Sequence, residues 1–174
     1  VQDAMLGRTY PDIISITMSN FDTHGQTRDL QFFVEDPGRK GKRVYLPYRA
    51  ILPVKSDGLL VIGLGMSAHR DAMPILRMQP DVQNQGYVAG YAAAMSVKSG
   101  KELRNIDIKS LQKHLVEVGI IPSECMDMKD NFPLSDDELK KAAQDLKFEY
   151  KDYAKLLTSP ERAHKFVSAE YEKA

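Results

Sequence analysis

The residues able to do chemistry in this sequence fall into a few short groups, and most also have a plain structural reading. Asp22-Thr23-His24 could pair a carboxylate with an imidazole, or could be a turn that hydrogen-bonds locally. No serine or cysteine nucleophile with a supporting motif accompanies it, so hydrolysis ranks low. Cys125, between Glu124 and Met126, has no neighbouring cation to lower its pKa and reads as a spare thiol in a loop. His24, His69, His114 and His164 show no metal-ligand spacing, and no metal is expected. His69 and Arg70 read as an exposed loop, His114 and His164 as surface. Asp136-Asp137-Glu138 is helix-start chemistry, not an acid–base pair. Gly63-Leu64-Gly65 opens like a phosphate-cradling turn, but Ala68 stands where the third glycine of Gly-x-Gly-x-x-Gly is needed.

The most informative segment is a helix expected from Pro80 to about Lys98, with Gly100 near its end. Gly86, Gly90 and Ala94 recur every fourth residue and share one face. Glycine inside a helix costs roughly 1 kcal/mol relative to alanine. A compensating gain would come from close approach of another backbone or of a flat ligand; plain helix-on-sheet packing is the alternative. The start of such a helix also aims unpaired N–H groups and a positive dipole end at whatever lies before it.

The elements that must position these groups can be read in order. Ile13 to Met18 alternates and is rich in β-branched residues, a strand. Leu30 to Glu35 and Arg43 to Leu46 predict two more, able to pair as a hairpin across the Asp36-Pro37-Gly38 turn. Leu59-Leu60-Val61-Ile62-Gly63 is a continuous apolar run, the pattern of a strand covered on both faces. Asp107 caps a helix with Ile108, Leu111, Leu115 and Val118 on one stripe, ending at Gly119. Ser135 to Glu138 is a capping box opening a helix through Leu139, Ala143 and Leu146, and Ser159-Pro160 starts a last one. The fold class is therefore α+β: a short β region, one strand–loop–helix unit, then C-terminal helices. The expected divisions are 1–58, 59–120 and a helical appendage over 121–174.

Composition narrows the function. Among 174 residues, 24 Lys+Arg balance 24 Asp+Glu, which argues against a chain built to hold nucleic acid or an anionic membrane. One cysteine excludes an internal disulfide framework. No apolar run reaches the length of a membrane span, and the first residues do not read as a signal peptide. Localisation stays open. Residues 59–97 carry only four formal charges (Arg70, Asp71, Arg77, Asp81), whereas 129–174 carry 19 in 46 positions. The first stretch reads as packed against something apolar and the second as solvated helical surface. The chain starts at Val1 rather than Met, so a processed or truncated piece of something longer is expected.

Order and spacing of the middle motifs carry a resemblance. Tyr45-Leu46-Pro47-Tyr48-Arg49-Ala50-Ile51-Leu52-Pro53 precedes Gly58-Leu59-Leu60-Val61-Ile62-Gly63. Ser67-Ala68, Arg77-Met78-Gln79-Pro80 and Gly86-Tyr87-Val88-Ala89-Gly90-Tyr91-Ala92-Ala93-Ala94 follow. Together with Asp12-Ile13, Asp22-Thr23-His24 and Asp107 to Lys113, this resembles, over about residues 8–120, the C-terminal portion of the bacterial FAD-dependent oxidoreductase family with the glutathione-reductase type of fold.

The resemblance implies FAD as cofactor, bound in a complete parent chain, and hydride transfer between a small organic substrate and flavin N5. It implies cofactor contacts from Gly63, Leu64, Gly65, Ser67, Pro80, Asp81, Val82 and Gly86, with Asp81 and Val82 offering backbone N–H groups to the N1–C2=O edge of the ring. It implies that Arg77 and His24 lie on the substrate side, Arg77 binding an anionic group. Arg49 would be either a structural tie or a cofactor contact. The dinucleotide-binding part with Gly-x-Gly-x-x-Gly is missing from this sequence, so the chain reads as a C-terminal fragment, inactive alone, whose partner is that N-terminal domain. An exposed flavin wall would also drive self-association. Departures stand out: Leu64 replaces the family's arginine, Tyr87 its glutamine, and Asp81 and Gln83 its small or apolar residues. A carboxylate at position 81 would oppose flavin reduction. The alternative is a non-catalytic interaction module derived from this fold, working through its helical tail.

Overall fold

The computed structural model describes residues 2–5, 7–19, 42–133, 135–137 and 140. The chain divides into two units, 1–131 and 132–174. In the second, Asp136, Asp137 and Lys140 are helical, with Lys140 Nζ 3.4 Å from Asp137 Oδ1. The expected strand at Leu30 to Glu35, its hairpin, most of the helix after Ser135, the helix after Ser159, His24 and His164 lie outside the described residues.

The first unit is mixed α+β. It runs α1 (Gln2–Met5), β1 (Ile13–Ser19), β2 (Lys42–Pro47), α2 (Met73–Leu76), α3 (Gln79–Ser99) and α4 (Ile108–Glu117), joined by short 3-10 turns. β1 and β2 pair antiparallel, Ser15 opposite Leu46 and Thr17 opposite Val44. Partners across a ladder share a face, and all four of these residues are buried. Ile16 opposite Tyr45 and Met18 opposite Arg43 form the other face, half-buried to exposed. α2, α3 and α4 all pack on β1. Ile13, Ile51, Ile75, Val88, Leu111 and Leu115 are fully buried in this one core.

Two polar clasps hold the β region to the helices. Gln112 of α4, with no exposed surface, donates through Nε2 to Pro11 O at 3.1 Å and Ile13 O at 3.0 Å. Tyr48 follows β2, 2% exposed, and its hydroxyl donates to Leu103 O at 2.9 Å. Burial pushes the Tyr48 phenol up to about 12, so it stays a neutral donor. Next to it Arg49 grips Asp12, Nη2 to Oδ1 at 2.6 Å, while the Arg49 N–H donates to Asp12 Oδ2 at 3.1 Å. The Arg49 guanidinium is thus engaged as a structural tie.

The long helix and the Asp107-capped helix form as the residue pattern predicts. α3 ends at Gly100, whose φ of +65° is the left-handed stop that glycine permits. Asp107 accepts from the Ser110 hydroxyl and from the Ser110 and Lys109 N–H groups, which holds its carboxyl below the usual range. Val118 departs from the expected stripe and is exposed, because α4 closes at Glu117 and the chain turns through Gly119 at φ +77°.

One expected strand is corrected. Residues 59–62 are not in a strand, and Leu59 is half exposed. An apolar run becomes a strand only when a neighbour supplies a ladder. Among the described residues the sheet holds β1 and β2, and Val61 N–H donates instead to Ile51 O at 2.8 Å.

Candidate functional site

Three pieces of chain meet at the start of α3. The first is the 3-10 turn Gly63–Gly65 with Met66 and Ser67 after it. Gly63 has φ +61°, a region open to glycine at no cost, and an added Cβ would lie 3.6 Å from Val82 Cγ1. At Gly65 an added Cβ would meet Val61 Cγ1 at 2.8 Å, so the Val61 side chain would have to shift to admit one. The second piece is the end of α2, Leu76, with Arg77 after it. The third is the first turn of α3, with Met78 as N-cap and Pro80 in the first turn, as the proline led one to expect. Gly63→Ala should cost about 1 kcal/mol of stability through the left-handed backbone alone. Urea unfolding of the variant checks this.

The turn's amides are turned inward. Gly63 N–H donates to Gln85 Oε1 at 2.9 Å, Gly65 to Ile62 O, Met66 to Gly63 O, Ser67 to Ala50 O and Ala68 to Met66 O. A phosphate cradle needs several such donors converging on open space, and this turn does not offer it. What it presents is neutral: Leu64 is 74% exposed, and Gly65 and Ser67 are exposed. At the helix start, Val82 N–H already closes the first turn on Met78 O at 2.9 Å. Val82 therefore has no backbone donor to give; its side chain packs on Gly63 instead. The N–H groups of Gln79 and Asp81 precede Val82 N–H, the first intrahelical donor, and so have no acceptor within the helix.

Asp81 is 8% exposed, and its carboxyl is pushed up to about 6 by burial, the sole cause. Pro80 is exposed, and Gly86 is half-buried with Ile62 Cδ1 3.8 Å from its would-be Cβ. The Gly86, Gly90, Ala94 face is thus only partly covered: Gly90 and Ala94 are exposed, with nothing within 4 Å of a Cβ at Gly90. The buried stripe of α3 is the adjacent one, Asp81, Gln85, Val88 and Ala92. Arg77 is half-buried.

Among the sequence-selected residues, the fold brings Gly63, Val82 and Gly86 together beside the turn, and Arg77 directly follows Leu76, whose carbonyl shares the Gln85 carboxamide with Gly63. Gln85 was not singled out, although its spacing to Asp81, Val88 and Ala92 marks it as a polar residue on a buried stripe. His114 is corrected: it is half-buried, its ring stacks on Tyr91 with centroids 3.7 Å apart, and Nε2 lies 2.9 Å from the Tyr87 hydroxyl. Tyr87 and Tyr91 share a face of α3, and α4 crosses beside it, a contact that helical periodicity does not reveal. His69 is exposed and accepts the Asp71 N–H on Nδ1, and Arg70 pairs with Asp71 at 2.7 Å. Cys125 lies in a 3-10 turn rather than a loop; it is fully buried, and burial pushes its thiol up. Among the described residues no three His, Cys, Asp or Glu side chains gather as a metal site, and no helix is long and apolar enough to cross a membrane.

The family model for FAD dependent oxidoreductases matches residues 1–115. The chain belongs to that family. The matched span runs from the first helix through both strands, the Gly63–Gly65 turn and α3 into α4, so it contains the whole candidate site. No curated protein and no solved structure matches the chain. Membership makes FAD the cofactor of the family, and an oxidoreductase-type function follows from it.

Proposed function

We propose that this chain is the C-terminal part of an FAD-dependent oxidoreductase and forms the wall against the flavin ring, while a separate N-terminal part grips the nucleotide. The observation that carries this is the family match over residues 1–115 together with the neutral edge formed by the Gly63 turn and the start of α3. When bound, FAD would supply hydride transfer between N5 and a small organic substrate.

The residues here fit one part of that cofactor and not another. Leu64, Gly65 and Gly86 offer apolar and glycine surface to a flat ring. The N–H groups of Gln79 and Asp81 and the positive end of α3 suit a carbonyl or an anionic ring edge. With its amides turned inward, the Gly63 turn is no seat for a pyrophosphate. Ser67 would reach at most a sugar-like hydroxyl chain. Arg77 and His24 belong on the substrate side in this reading, Arg77 as the group for a substrate anion. Residues 1–58 supply the β wall of the pocket and the tail after 121 an appendage. Alone, the chain would be catalytically inactive. Its exposed Leu59, Leu64 and Val97 side chains would favour self-association.

The test is the visible spectrum of the protein made from its complete reading frame and purified without added flavin. The expected result is a yellow protein with both flavin bands. A colourless protein that stays colourless after incubation with FAD would sink the flavin reading and favour the non-catalytic interaction module. Self-association is checked by sedimentation of this chain across a range of concentrations, where a monomer throughout counts against it.

A further inference from the structure

The side chain that joins all three pieces of the candidate site is Gln85. It is fully buried in the second turn of α3. Its Oε1 accepts from Gly63 N–H at 2.9 Å, and its Nε2 donates to Leu76 O at 2.9 Å. Gly63 opens the turn that carries Leu64 and Gly65; Leu76 is the last residue of α2, ahead of Arg77 and the α3 N-cap. Both partners are backbone groups at the ends of elements, where the chain has lost its regular ladder. A hydrocarbon of equal volume at position 85 would leave one donor and one acceptor unpaired inside the protein. One relief is for the turn to swing its Gly63 N–H toward water, with the Val82 side chain beside that glycine giving way. Such a swing displaces Leu64 and Gly65, the exposed residues of the edge.

We propose that Gln85 is a positioning residue for ligand binding: by clamping Gly63 to Leu76 it sets the Gly63–Ser67 turn in register with the first turn of α3, and so shapes the edge against which a flavin ring rests. This deepens the flavin reading and rests on it. Gln112 is the natural comparison. It is equally buried and likewise bonds to two backbone groups, but these are two carbonyls, Pro11 O and Ile13 O, at the start of β1. Loss of either carboxamide should destabilise the fold; only loss of Gln85 should disturb the edge.

The experiment titrates FAD into the full-length protein and follows flavin fluorescence and the position of the visible bands, for the wild type, Gln85→Leu, Gln85→Glu and Gln112→Leu. Gln85→Leu should weaken FAD binding about tenfold or more and shift the bands. Gln112→Leu should lower the melting temperature but change the affinity less than about twofold. Gln85→Glu provides rescue and covers the case in which the leucine variant fails to fold. Its carboxyl, when protonated, keeps one acceptor for Gly63 and one donor for Leu76; when ionised it has no donor. Relative to the wild type at each pH, it should bind FAD normally near about pH 5 and poorly near about pH 8. Equal affinity and equal band positions for the Gln85 and Gln112 variants would overturn the proposal, as would a Gln85→Glu protein whose affinity tracks the wild type at both pH values. A wild type that binds no FAD overturns the flavin reading. The clamp itself is then read from amide exchange at Gly63, which Gln85→Leu should speed about tenfold and Gln112→Leu should not; equal exchange in the two variants overturns it.

Discussion

Replacing Tyr48 by alanine should remove about 3–5 kcal/mol of stability, a large share of the about 5–15 kcal/mol of an ordinary domain. The ring is 2% exposed and lies at the junction of β2 with the 3-10 turn that follows. Its loss leaves a cavity among Leu46, Ile51 and their neighbours in the one core. It also strips Leu103 O of its donor. Tyr48→Phe separates the two effects, since it keeps the volume and removes only the hydroxyl, and should cost about 1 kcal/mol. Chemical denaturation of both variants checks this. If Tyr48→Ala lost no more than Tyr48→Phe, the packing account would be wrong. The result bears on how the family motif is understood. Pro47-Tyr48-Arg49 helped to identify the chain, yet here Tyr48 is a core anchor and Arg49 a tie to Asp12. In this protein the motif builds the frame behind the site.

Asp81→Asn should stabilise the protein at pH 8 by about 1–2 kcal/mol and leave stability nearly unchanged at about pH 4. The sign follows from burial. Asp81 has its pKa raised from 3.8 to about 6 in the folded protein, so the folded state holds its proton more tightly than the unfolded chain does. Below about pH 4 both states are protonated and the group is neutral to folding. As pH rises from about 4 to 6, the unfolded chain ionises first and folding loses free energy; above about 6 the full penalty persists. The shift alone corresponds to about 3 kcal/mol. The place of Asp81 in the first turn of α3 favours its charge, and solvent relaxation screens part of the rest, which brings the expected gain down. Urea unfolding of wild type and variant at the two pH values decides. An equal difference at both, or a destabilised variant at pH 8, would refute the burial account. If the flavin reading holds, the same substitution should raise the flavin reduction potential above pH 6, where the carboxylate otherwise opposes negative charge on the ring.

Much of this protein could be read from residues in a row. The alternation of Ile13 to Met18 and the glycine at position 100 reported strand and helix end, because both are set by local backbone geometry and the spacing of side chains. Asp107 could be read as a cap for the same reason. The order of the motifs between Tyr45 and Ala94 was enough to point to the family that the match over residues 1–115 shows.

What the order of residues does not contain is which groups find each other across the chain. Leu59 to Ile62 has the composition of a buried strand, but strand formation depends on a partner ladder, and here Val61 bonds to Ile51 instead. Val82 lost its place as a backbone donor because Met78 O, one turn earlier, takes its N–H. His114 became half of an aromatic stack only because α3 and α4 lie side by side. The same holds for the site's central clamp. Gln85 lies 22 residues from Gly63 and 9 from Leu76, and only the packing of the Gly63 turn and the end of α2 on α3 brings one carboxamide within 2.9 Å of both. Sequence by itself determined β1, β2, α3, α4 and the family; tertiary structure decided which apolar run found a ladder and which polar groups are satisfied inside the protein, and so which remain free to meet a ligand.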